Sequence, residues 1–259
     1  MKILAIESSS LVASVAIVDS RVTLGEFTVN HKKTHSQTLL PMIDELFKIT
    51  DIDKSSIEAI AVAEGPGSFT GLRIGGATAK GLALALDVPI IPVSTLEAIA
   101  YNMYKTPFVL APILDAKRNQ VYSAVYVYED IEKPAGINVQ TDGLSAMYEV
   151  PHFNIIHEPS LIEVNILVDR LTKIYEETGR QAIVMGDGAV PFARYLDEYL
   201  KVPHTYAPMH LNRPRAAAVA ALAYYYCEKE GRKVNSDDFV PVYLRASQAE
   251  LVKQGVRLS

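Results

Sequence analysis

The chain has 259 residues, 49% hydrophobic and 21% charged, which allows one large domain or two of ordinary size with ample core. Its formal net charge of −5 argues against a stand-alone nucleic-acid binder, but not against work on RNA inside a complex whose partner supplies positive charge. A single cysteine, Cys227, excludes an internal disulfide and suits a reducing compartment; no run reaches the ~18 apolar residues of a membrane span, and residues 1–6 are too short for a signal segment, so the expectation is a soluble, cytoplasmic chain.

Taken in order, residues 2–6 read as a buried strand, followed by the polar turn Glu7-Ser8-Ser9-Ser10. Residues 13–18 and 22–29 continue as strands, so the chain opens with a three-strand meander. Ser36 is placed to cap a helix over residues 36–48, with Leu39, Ile43 and Leu46 on one face and Pro41 near its first turn. A strand at 57–63, a helix over 71–86, a strand at 89–93 and a short helix to 101 follow. The pattern then restarts: strands at 108–114 and 121–128, the latter with Tyr122, Tyr126 and Tyr128 on one face. Residues 129–160 read as irregular. Helices are expected over 161–178, 192–200 and 215–229, with a strand at 182–185 and a short strand near 242–244.

Two successive units of meander, helix, strand and helix imply an internal duplication. The expected fold is α/β and two-lobed, of the actin-like ATPase (ASKHA, ribonuclease H-like) kind. Its lobes would be residues 1–105 and 106–259, with the last helix and tail packing back on the first lobe. Glu7, ending the first strand, and Asp115, at its echo, would face a cleft between the halves. Fold order alone does not give function.

The stretch 64–86, EGPGSFTGLRIGGATAKGLALAL, organises the rest. A strand, a loop with Gly65, Pro66, Gly67 and Ser68, and then a helix aim backbone N–H groups and a helix dipole at one spot, which suits an anion. The loop is neither a Walker A site nor a dinucleotide fingerprint, and a tight turn without ligand fits it equally well. Glu7, Ser8 and Ser9, the 65–70 loop and Gly186-Asp187-Gly188 could line one nucleotide cleft, or a degenerate cleft that keeps its turns for folding. The helix is rich in small residues, and each internal glycine costs roughly 1 kcal/mol relative to alanine, so close approach of another backbone is expected. Gly71, Gly75, Thr78 and Leu82 form one stripe. Together with Leu39, Ile43 and Leu46 it is the expected partner surface, and Gly75→Arg is expected to block pairing while leaving the fold intact.

GPGSFTGLRIG at 65–75 resembles the hallmark of the TsaB (YeaZ) family. The opening ILAIESS, His35-Ser36-Gln37 with Leu40-Pro41, residues 92–97, Asp115-Ala116-Lys117-Arg118 with Val121-Tyr122, and residues 241–245 extend the match along most of the chain. The resemblance implies a role in forming N6-threonylcarbamoyladenosine next to the anticodon of transfer RNA. It implies a non-catalytic subunit that pairs with the paralogous transferase TsaD through N-terminal helices and is joined by the ATPase TsaE. Transfer RNA would be met through that complex, and nucleotide only weakly, at the complex interface. A homodimer of the isolated chain is an expectation as well, since a surface that fits a paralogue can fit itself. TsaD-type proteins carry a metal-binding His-x-x-x-His; Thr95 and Ile99 stand at the matching positions here, and isoleucine cannot ligate. The competing readings are a stand-alone ATPase or sugar-kinase-like phosphotransferase and, more remotely, a glycoprotease-like peptidase.

The remaining candidates are weaker. His31 and His35 have four-residue spacing, but His31 precedes the helix. His152, His157, His204 and His210 are scattered without a triad pattern, and Ser68 lacks a Gly-x-Ser-x-Gly elbow. Arg245, Lys253 and Arg257 read as solvated charge. No metal site and no catalytic residue is expected.

Overall fold

The computed structural model describes residues 1–19, 22–31, 34–104, 106–128 and 153–245. The first half forms a five-stranded sheet from β1 (Lys2–Glu7), β2 (Val12–Asp19), β3 (Val22–Asn30), β4 (Ala59–Gly65) and β5 (Ile90–Ser94), in the order β3-β2-β1-β4-β5. The second half repeats it with β6 (Val109–Asp115), β7 (Gln120–Tyr128), β8 (Phe153–Glu163), β9 (Ala182–Met185) and β10 (His204–Tyr206), in the order β10-β9-β6-β7-β8. In each, an antiparallel meander is extended by two parallel strands on the side of its first strand. The duplicated, two-lobed α/β architecture expected from the sequence is thus present, and the two sheets match each other strand for strand, although β8 and β10 were not among the expected strands.

Among the described residues six α-helices fill the space around the sheets: α1 (His35–Thr50), α2 (Phe69–Leu86), α3 (Thr95–Tyr101), α4 (Val164–Thr178), α5 (Ala189–Tyr199) and α6 (Ala216–Tyr225), the last running into a π turn over Tyr226–Glu230. α1 and α2 bury Leu39, Ile43, Leu46, Phe47, Ala79 and Ala83 against one face of the first sheet. α4 and α5 cover the outer face of the second sheet. Between the sheets the halves exchange helices. Leu96, Ile99 and Ala100 of α3 pack on the second sheet against Tyr126 and Tyr128, while α6, from the end of the chain, packs on the first sheet against Ile3, Ala5, Ala16 and Ala61.

Several boundaries differ from the sequence reading. Residues 153–160 are not irregular but belong to β8, which also takes 161–163, so α4 begins at Val164. β8 is an edge strand, and its pairing with β7 slips between Ser123 and Val125, opposite Glu158-Pro159. Proline is tolerated at such an edge, where a missing N–H breaks no ladder. α1 begins at His35 with Thr34, not Ser36, at the cap position. Residues 242–244 form no strand. They belong to a strap along the first lobe in which Val234 pairs with Ile90 in both directions, Phe239 is buried beneath α2, and the Val242 N–H donates to Glu64 O at 2.7 Å. The strap ends on the second lobe: Arg245 donates to Ala116 O at 2.7 Å and to the Gln120 side chain, so Arg245 is a half-buried fastening and not solvated charge. His152, Lys253, Arg257 and residues 129–151 lie outside the described residues.

The first-lobe strands cap α6. An α-helix leaves its first N–H groups without intrahelical partners. Here the Ala216 N–H donates to Ser14 Oγ at 3.0 Å and the Ala217 N–H to Glu26 Oε1 at 3.0 Å, while the other oxygen of Glu26 pairs with Arg215. The Glu26 carboxylate therefore meets both a cation and the positive end of a helix dipole, and its side chain is only 10% exposed. Glu26→Ala is expected to lower stability by about 1–3 kcal/mol, with Glu26→Gln between it and the parent, in urea denaturation.

Candidate functional site

The C-terminal ends of β1 and β4 in one lobe, and of β6 and β9 in the other, converge on the seam. Glu7 is the last residue of β1 and is fully buried. Its Oε1 accepts from the Ser9 N–H at 2.6 Å and from Ser9 Oγ at 2.5 Å; Oε2 has no hydrogen-bond partner. Across the seam, Asp187 follows β9 and accepts the Asp115 N–H at 3.0 Å. Burial raises Glu7 to about 7, against the pull of its Ser9 hydrogen bonds and with a further push from Asp187. Asp187 is raised too, mainly by burial, opposed by the Asp115 N–H and by Arg213. Asp187 thus stands near both acidic strand ends: it accepts the Asp115 N–H and lies close enough to Glu7 to raise it.

The glycines around them are closed by the chain's own backbone. A Cβ added at Gly67 would stand 2.2 Å from Ser9 O, one at Gly71 2.1 Å from Ser8 O, and one at Gly75 2.2 Å from Ser8 Oγ. The Ser68 N–H donates to Ser9 O at 2.6 Å, and Ser68 Oγ caps the Gly71 N–H at 3.3 Å. Gly65, at φ +120°, is backed by Val242 O. The second lobe repeats the arrangement: Gly186, at φ +99°, lies against Ile113 O, and its N–H donates to Asn212 Oδ1 at 2.7 Å, while the Gly188 N–H donates to Ile113 O at 3.1 Å. These turns fit tight packing of strand ends against helix starts. At the 65–70 turn the chain's own carbonyl and hydroxyl oxygens take donors that a phosphate would need, so the residues there do not fit a phosphate cradle.

The expected partner stripe requires correction. Leu39, Ile43 and Leu46 are 1%, 3% and 1% exposed and pack on their own sheet. Gly71 and Gly75 are buried against Ser8, and Leu82 packs toward the same core; Thr78 is half-buried. The exposed side of α2 carries Ala77, Gly81, Leu84 and Ala85 instead. Leu84 is 73% exposed, Leu40 and Ile49 of α1 are 55% and 66%, and a Cβ added at Gly81 would meet nothing within 4 Å. The spacing rule that selected the inward stripe describes this outward one equally well; glycine is small on both sides of the helix, so the sequence left the choice open.

The other candidates fall elsewhere. His35 is held by Ser10 O at 2.7 Å, and His31 is exposed at the end of β3. His204 pairs with Asp197 on the far edge of the second lobe. Thr95 and Ile99 are both fully buried, Ile99 in the contact between α3 and the second sheet. Sequence reasoning did not single out Glu97, which follows the Ser94 cap of α3 and accepts a hydrogen bond from Tyr226; burial raises it, and Tyr226 well above the usual tyrosine range. No group of three or more His, Cys, Asp or Glu side chains among the described residues is placed to hold a metal, and no helix there is long and apolar enough to cross a membrane.

Residues 23–253 match the family described as TsaD, tRNA N6-adenosine threonylcarbamoyltransferase. The tRNA threonylcarbamoyladenosine biosynthesis protein TsaB of Bacillus subtilis is 29% identical over 250 residues, 96% of either chain. The chain belongs to the TsaB family. TsaB of Escherichia coli is 38% identical over 129 residues, which are 49% of this chain and 55% of that protein. YeaZ from Pseudomonas aeruginosa superposes with a TM-score of 0.70 at 23% identity, covering 94% of this chain and 99% of that one, so the two-lobed fold is shared with TsaB (YeaZ) proteins.

The ionisation of Glu7 has a measurable sign. Unfolded, it titrates near 4.5; folded, near 7. Between those values the folded chain keeps a proton the unfolded chain has released, so stability falls as pH rises from about 4.5 to about 7 and then levels off. Glu7→Gln is expected to remove that part of the decline, on the order of 3 kcal/mol across the window, read as the difference between urea denaturation series for the two proteins.

Proposed function

We propose that this chain serves in the biosynthesis of threonylcarbamoyladenosine in transfer RNA as a non-catalytic, activating subunit, paired with the TsaD-type transferase and joined by the TsaE-type ATPase. The role in this biosynthesis is the one the TsaB relatives' names carry. The observation that carries the subunit reading is the contrast between the two sides of α2. Its inward glycines are filled by the Ser8–Ser9 turn, where a phosphate would have to sit, while its outward face offers small and apolar side chains to solvent. Thr95 and Ile99, at the positions of the transferase's metal ligands, support the same reading: one is a buried hydroxyl, the other a core side chain. Nucleotide is met weakly, at the interface with the transferase, and the isolated chain pairs with itself through the same α1–α2 face.

The test is threonylcarbamoylation of transfer RNA in a mixture of the adenylate-forming enzyme, the transferase, the ATPase, ATP, threonine and bicarbonate. Modification is expected to collapse when this chain is left out, and the chain alone is expected to modify nothing. Undiminished modification without it would overturn the assignment.

Two glycine variants separate interface from fold. Gly81→Arg adds a side chain in open space at a position where glycine disfavours the helix by roughly 1 kcal/mol, so the protein is expected to melt no lower than the parent while losing its pairing with the transferase in size-exclusion chromatography. Gly75→Arg must instead displace Ser8 and is expected to unfold the chain; this replaces the expectation that it would spare the fold.

A further inference from the structure

The mouth of the seam carries a continuous band of cations and aromatic rings, assembled from three separate parts of the chain. On α2 the Arg73 guanidinium lies 4.0 Å above the Phe69 ring, and Phe69 contacts Tyr243 of the strap with ring centroids 4.8 Å apart. Two residues on, Arg245 fastens to Ala116 O. Ala116 leads into Lys117 and Arg118, which with Asn119 form three consecutive left-handed residues at the β6–β7 turn. That backbone turns the Lys117 and Arg118 side chains out: both residues are exposed, as is Arg73, and Tyr243 is 37% exposed. Arg213 lies behind the band, close enough to lower Asp187.

Asp115 is paired with Lys117 at 2.6 Å, so that cation is partly balanced, and burial raises both Glu7 and Asp187. A chain with a net charge of −5 thus places Arg73, Lys117, Arg118 and Arg245 along one band, beside the rings of Phe69 and Tyr243. Spaced cations that neutralise phosphates, with aromatic rings on which bases stack, are the chemistry of contact with RNA.

We infer that the band Arg73–Phe69–Tyr243–Arg245–Lys117–Arg118 is a contact surface for single-stranded or loop RNA, with Arg73, Lys117 and Arg118 meeting phosphates and Tyr243 stacking on an unpaired base. This rests on the reading that the chain works in a transfer-RNA-modifying complex, and it gives the chain a direct share in holding the RNA. Because the chain as a whole carries a net charge of −5, the band orients the RNA across the seam more than it supplies affinity on its own.

The experiment uses this chain assembled with the transferase and a fluorescently labelled, unmodified transfer RNA. Arg118→Asn removes a cation while keeping a residue that tolerates the left-handed backbone. Tyr243→Ala removes the ring. Arg118→Asn is expected to weaken binding and to make the slope of log affinity against log salt shallower by about 1. Tyr243→Ala is expected to weaken binding roughly fivefold or more with little change in that slope. In the modification assay both are expected to raise KM for transfer RNA with kcat unchanged, and Arg118→Lys to restore it. Unchanged affinity and salt slope in both variants, with pairing to the transferase intact, would overturn the inference; so would a loss of affinity that follows from lost pairing. The leave-out measurement tests the subunit reading separately: if modification depends on the chain while these variants behave as the parent, the RNA surface fails and the subunit reading stands.

Discussion

The contact on which the rest of the first lobe depends is the approach of the Ser8–Ser9 turn to the start of α2. β1 ends at Glu7, and the chain must turn within a few residues to begin β2. That turn lies against the start of α2, and it fits because Gly67, just before the helix cap, and Gly71 and Gly75, in its first two turns, carry no side chain. Ser9 O of the turn then takes the Ser68 N–H, the Ser8 hydroxyl donates to Gly71 O at 2.9 Å, and Ser68 Oγ caps the Gly71 N–H. From this one fit follow the burial of Glu7, the position of α2 on the sheet, and the presentation of its opposite face to solvent.

Much of this was legible in the sequence because its physical signals were local. Continuous apolar runs marked β1, β4, β6 and β9, and glycines at the strand–helix junction announced a close approach. The repetition of meander, helix and strand announced two lobes, and the tyrosines of β7 do share the face that meets α3. What was not legible depended on partners distant in sequence. β8 mixes Asn154, His157, Glu158 and Pro159 with its apolar residues, as an edge strand with one covered face and a bulge can, so neither alternation nor a pure apolar run identified it. Which side of α2 was buried could not be read from a helix with small residues all round. Arg245 looked like free charge because its acceptors, Ala116 and Gln120, lie more than a hundred residues earlier.

The two lobes solve the same local problem in the same way. Gly186 and Gly188 stand to Ile113 and Asp115 as Gly67 and Gly71 stand to Ser8 and Ser9: a strand end pressed against a helix start, with glycine removing the clash. On each side of the seam one acidic side chain is buried and raised, Glu7 at the end of β1 and Asp187 after β9. Burial disfavours the charged form of both. The seam is a poor place for the chain to hold an anion unaided and a good place to be sensitive to what a neighbouring protein brings.

The exchange of α3 and α6 between the sheets bears on how the chain can be divided. The first sheet takes one of its covering helices from the second half of the chain, and the second takes one from the end of the first half. A cut near residue 105 would therefore strip a layer from each fragment: the first would expose Ile3, Ala5 and Ala61, and the second Tyr126 and Tyr128. Neither fragment is a self-sufficient folding unit, yet each carries the helix the other lacks. Mixed together, they have what is needed to rebuild the whole by mutual complementation, so the two lobes are halves of one cooperative body despite their duplicated design.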